Sequence, residues 1–125
     1  MAVNIEQTLS EARLLSQQGD EAASRQRLQA VLAEQPDNEA ALLMLGGSYF
    51  CAAMLQEAEI VFERLVLVDP GMGKYSIALF NTLWKLGRME EALEEIRRFM
   101  SVADKLKEKE TLDQYLAIVK EIESS

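Results

Sequence analysis

The sequence predicts an all-α fold of antiparallel helix pairs stacked into a solenoid, about seven helices in all. Three observations predict it. The chain repeats at a period of 34 residues, each period holds two apolar stripes at helical spacing, and a last amphipathic stripe follows the third period. Pro36 and Pro70 stand one period apart, Gly19 and Gly87 two periods apart, and Ala53 lies at their midpoint. Ser24, Ala58 and Ala92 align at this period, as do Leu28, Phe62 and Ile96, and then Val31, Leu65 and Phe99.

The elements follow in order. The first unit, about 5–38, turns at Gly19-Asp20, where glycine supplies the left-handed conformation that ends a helix. Leu28 and Leu32 give its second helix an apolar side, and Pro36 stops it. Asp37-Asn38 offers turn and N-cap chemistry to the next helix. In the second unit, about 39–72, Leu42, Leu45, Gly46 and Tyr49 fall at i, i+3, i+4 and i+7. Residues 53–56 are expected to turn, and Ala58, Phe62, Leu65 and Val66 make the second stripe. The third unit, about 73–104, has Leu79, Phe80 and Leu83, then Gly87-Arg88, then Ala92 and Ile96. The run Lys105–Glu110 is expected to be a connector or a wet helix face. Thr111 with Gln114 has the form of a capping box for a last helix over about 111–123. Leu112, Tyr115, Leu116, Val119 and Ile122 form its stripe, which covers the open end of the stack.

Composition narrows what such a stack can do. The 125 residues are read as one domain, 1–125, with 49% hydrophobic and 27% charged residues. Thirteen Lys and Arg face 21 Asp and Glu, and no His is present, so the net charge is −8. An acidic chain without a basic block is a poor fit to nucleic acid or to an anionic membrane surface. The lack of His removes the commonest general base and metal ligand, and one cysteine, Cys51, allows neither a disulfide nor a multi-cysteine metal site. No catalytic residue, cofactor or metal site is therefore expected, and Cys51 reads as a half-buried packing residue. The N-terminus lacks a secretory pattern and no apolar run reaches membrane-spanning length, which points to the cytoplasm.

Other motifs do not hold together. Gly71-Met72-Gly73-Lys74 superficially suggests a phosphate loop, but Val68 stands where the first glycine is needed and Tyr75 where Ser or Thr is needed. It reads as a turn. Glu90, Glu91, Glu94 and Glu95 read as an exposed face paired to Arg97 and Arg98.

The middle unit carries Leu45-Gly46, Tyr49, Ala58, Phe62 and Asp69-Pro70 at spacings that resemble the tetratricopeptide repeat. Leu42 stands where that family usually has Trp; Glu11-Ala12 replaces Leu-Gly in the first unit, and Phe80 replaces the small residue in the third. The resemblance covers about 100 residues. It implies three repeats, a capping helix, and a concave surface lined by the first helix of each pair.

On those first helices a second apolar stripe lies beside the core stripe, which marks a helix that is either sandwiched or bound by something. The expected partner-binding groove has Leu43, Phe50, Ile77 and Trp84 as anchors, Arg13, Lys74 and Lys85 as cations, and Asn81 as a hydrogen-bonding side chain. The alternative is that Phe50 and Trp84 are core or lie under the last helix. Some tetratricopeptide proteins grip a terminal carboxylate with Lys and Asn, but the matching places here hold Gly47 and Arg13, so that clamp is not present as a set. The expected function is a non-catalytic module that captures a partner peptide or helix, with the cations selecting acidic neighbours. The alternatives are a bacterial secretion-type chaperone for an exported protein, or a self-associating scaffold using Leu14 and Leu15 on the first helix.

Overall fold

The structure is a computed structural model that describes residues 3–124. It contains α1 (Ile5–Gln17), α2 (Glu21–Glu34), α3 (Glu39–Cys51), α4 (Leu55–Val68), α5 (Gly73–Lys85), α6 (Met89–Val102) and α7 (Lys109–Glu123). No strand occurs among the described residues.

Helix starts and stops follow local chemistry. Asn4, Asp20 and Asn38 accept from the backbone N–H of Gln7, Ala23 and Ala41, which caps α1, α2 and α3. Inside each pair the first helix ends by the same device. The N–H of Asp20, Met54 and Arg88 donates back to the carbonyl of Leu15, Tyr49 and Leu83, at 2.9, 2.8 and 3.0 Å. This is a Schellman closure, and it requires positive φ at the residue before the donor. Gly19 (φ 85°), Ala53 (φ 60°) and Gly87 (φ 77°) supply it. The turn in the middle pair is thus 52–54, tighter than the 53–56 that sequence spacing gave.

The 34-residue period is a packing period. Ser24, Ala58 and Ala92 are buried where the two helices of a pair cross, and Leu28, Phe62 and Ile96 fill the space one turn further on. Ser24 closes its hydroxyl on the carbonyl of Ala12 at 2.8 Å. Ala12 and Leu28, Gly46 and Phe62, and Phe80 and Ile96 hold equivalent places in the three pairs, and all are buried. A Cβ at Gly46 would overlap the Phe62 ring, so that glycine is required by its neighbour.

The last helix departs from the expected capping box. α7 begins at Lys109, and Thr111 lies buried in its first turn. Glu108 makes no cap for its own helix; its carboxylate accepts from the N–H of Gly73 at 3.1 Å and so caps α5 from 35 residues away. Gly73 has no room for a Cβ because Glu108 and Thr111 press against it. Asp104 folds the connector by accepting from the N–H groups of Leu106 and Lys107, which pulls its pKa below the ordinary carboxylate value.

Tyr115 anchors α7. Its ring is fully buried, edge-on to Phe99 and tilted against Phe80. Its hydroxyl is 2.7 Å from Ser76 Oγ, which donates to Glu95 at 2.6 Å. Arg98 holds Glu95 through two hydrogen bonds and also donates to the carbonyl of Pro70. Glu95 is only 6% exposed, not on a wet face as expected, because this network gives every carboxylate oxygen a partner.

Candidate partner-binding groove

Three cavities run along the helices that the sequence marks as groove-lining. The central one, about 290 Å³, lies between α3 and α5, and includes Gly47, Phe50, Lys74, Ile77 and Asn81 in its walls. A second, about 380 Å³, lies between α1, α2 and α3 around Arg13, Ser48 and Cys51, and shares Gly47 and Cys51 with the first. A third, about 460 Å³, is walled by Phe80, Asn81 and Trp84 of α5 and by Ile118, Glu121 and Ile122 of α7. It shares Asn81 with the central cavity. The shared walls make one concavity that crosses α1, α3, α5 and α7.

Each expected site residue can now be placed. Phe50, Lys74, Ile77 and Asn81 surround the central cavity. Lys85 joins them through Phe50: its ammonium sits 5.2 Å from the ring centroid. Lys74 lies 5.8 Å over the Tyr75 ring. Trp84 stands at the third cavity, 40% exposed and stacked on Phe80. Arg13 stands at the second. Leu43 lines none of the three cavities; it packs half-buried against the core. Cys51, expected to be half-buried, is exposed where two of the cavities meet. The last helix does not cover Phe50, and instead forms the far wall beside Trp84.

Phe80 and Ile118 at the third cavity were not among the expected groove residues. Phe80 reads as core from its spacing, and it is buried while still walling the cavity. Ile118 falls off the Tyr115–Val119–Ile122 stripe; its signal is the i, i+4 pair it makes with Ile122.

The polar side of the groove is already organised. Glu21 accepts from Ser16 and from Ser48, each at 2.6 Å, and those bonds hold its carboxyl below the ordinary value. Arg25 donates to Ser48 at 3.0 Å. Elsewhere, Arg27, Arg64, Arg88, Arg98 and Lys109 are all ion-paired to carboxylates. Among the described residues, no group of three His, Cys, Asp or Glu side chains is placed to hold a metal ion, and no helix is long and apolar enough to cross a membrane.

Comparison with known proteins adds the family. No curated protein sequence matches the chain. Among solved structures, a mutant O-GlcNAc transferase from Thermobaculum terrenum is 28% identical with a TM-score of 0.66, over 81% of this chain and 20% of that one. The MamA protein is 18% identical with a TM-score of 0.74, over 82% of this chain and 56% of that one. This chain therefore spans well under two thirds of either. The type III secretion chaperone SycD of Yersinia enterocolitica, in complex with a peptide of the translocator YopD, is 18% identical with a TM-score of 0.78. That match covers 94% of this chain and 91% of SycD. The tetratricopeptide repeat model matches residues 15–75, across the middle unit and into its neighbours. Residues 15–75 thus match the tetratricopeptide repeat family, and the chain around them has the fold of a tetratricopeptide-like helical solenoid.

Proposed function

We propose that the chain is a non-catalytic protein-interaction module that captures a peptide or helix of a partner in the groove crossing α1, α3, α5 and α7. One observation carries this reading. Three cavities share their walls along the first helices, and the largest exposed aromatic ring, Trp84, and the half-buried Phe50 and Ile77 stand in those walls. Aromatic side chains in a concavity are where interface energy concentrates. A second reading is a chaperone for an exported protein in the cytoplasm. What supports it is the near whole-length likeness to SycD, whose structure holds a translocator peptide.

The test is a pull-down from native lysate with the wild-type chain beside a Phe50→Glu/Trp84→Glu variant, with the fold of both followed by circular dichroism. Partners lost only by the folded variant support the groove. Recovery of the same partners by both rejects it. Sedimentation of the chain at two concentrations addresses self-association: a concentration-independent monomer removes the scaffold.

A further inference from the structure

Two adjacent glycines on α3 behave in opposite ways. Gly46 has no room for a Cβ, because Phe62 occupies that space. Gly47 has nothing within 4 Å of the position a Cβ would take. It sits in the interior of a helix, where glycine is less favourable than alanine. Nothing inside the chain requires it. Its open side is the wall shared by the central cavity and the cavity around Arg13. A bare stretch of helix backbone at such a junction lets a guest approach closer than any side chain would permit.

The charges around this point are also unlike the rest of the surface. Lys74 and Lys85 contact aromatic rings instead of carboxylates, and among the described residues neither they nor Arg13 form an ion pair. No carboxylate lines the central cavity, and the one carboxylate lining the cavity around Arg13, Glu21, is held by the hydroxyls of Ser16 and Ser48. The chain carries a net −8, yet screening limits that field to about 8–10 Å at physiological salt, so the nearby cations govern what binds here.

We infer that the guest is an acidic peptide segment with one bulky apolar side chain. That side chain enters between Phe50 and Ile77 over the bare backbone of Gly47, and the flanking carboxylates face Lys74, Lys85 and Arg13. A dry cavity of about 150 Å³ already admits benzene, so about 290 Å³ admits a Leu, Met or Phe side chain. This inference rests on the groove reading above.

The test uses the full chain as bait for a display library of random peptides, followed by anisotropy titrations of the enriched sequences as labelled synthetic peptides. Enriched peptides are expected to carry a large apolar residue beside Asp or Glu. Their affinity is expected to fall several-fold as salt is raised, and roughly tenfold or more in Lys74→Glu/Lys85→Glu. Gly47→Ala is expected to raise Tm by roughly 2–4 °C. Gly47→Leu, folded by circular dichroism, is expected to bind roughly tenfold or more weakly. Enrichment of neutral or basic peptides, enrichment of none, or unchanged binding by folded Gly47→Leu overturns the inference. Peptides that bind Phe50→Glu as tightly as wild type reject the groove itself. Peptides that bind Gly47→Leu as tightly as wild type but no longer bind Phe50→Glu overturn the inference while leaving the groove reading intact.

Discussion

Ala53 closes the first helix of the middle repeat in a conformation that its neighbours reach with glycine. Its φ of 60° puts a Cβ in the left-handed region, which costs an L-residue roughly 1–2 kcal/mol. Ala53→Gly relieves that strain and is expected to stabilise the chain by about 0.5–1 kcal/mol in urea unfolding, after the added freedom of the unfolded chain is offset. A loss of stability would contradict the assignment. Glu63 offers a pH-dependent test. Loss of water around its carboxyl, then the hydrogen bond and charge of Glu59, raise its pKa above the ordinary 4.5. The folded chain therefore holds the proton more tightly than the unfolded chain does, and stability falls as pH rises from 4.5 through the raised value. Glu63→Gln is expected to be more stable than wild type at pH 7 and to lose that advantage at pH 4. An advantage of equal size at both pH values would contradict this. Residue periodicity made the midpoint position of Ala53 visible. It gave no sign that Glu95 would be buried: Arg98 is visible as a partner three residues on, but the hydroxyl of Ser76, which joins Arg98 on that carboxylate, reaches it only when α5 packs on α6.

At the scale of an element, α7 is held by one polar chain and one aromatic cluster. Tyr115, Ser76, Glu95 and Arg98 join α7, α5 and α6 and reach the turn at Pro70. Ser76→Ala leaves a buried hydroxyl and a buried carboxylate short of a partner, and is expected to cost about 1–3 kcal/mol. Hydrogen exchange should show the loss first in α7. A uniform loss across all helices would mean that α7 does not open separately. The helices themselves were legible because their apolar stripes keep a 3.6-residue period, and three of their starts carry Asn or Asp caps. The start of α7 was not legible. Thr111 and Gln114 satisfy a local pattern, but Glu108 is drawn away to cap α5 and the helix begins two residues before Thr111.

For the whole molecule, stability comes from positions that recur every 34 residues. Val31, Leu65 and Phe99 have no solvent exposure at all. Leu65→Ala is expected to cost about 2–5 kcal/mol and to lower the unfolding midpoint in urea. A cost below about 1 kcal/mol would show that the middle repeat does not carry the stack. The placement of Phe50, Ile77, Asn81 and Trp84 along adjoining cavities was legible, because second stripes on alternate helices of a solenoid end on one side. Leu43 shares that stripe, yet its side chain is taken up in packing, which spacing alone does not reveal. The central claim is that the face formed by α1, α3, α5 and α7 receives a guest. Hydrogen–deuterium exchange of the chain, alone and loaded with a captured partner, measures this most directly. The account predicts new protection centred on residues 47–51 of α3 and 77–85 of α5. Protection confined to α2, α4 and α6, with those two segments unchanged, would contradict it.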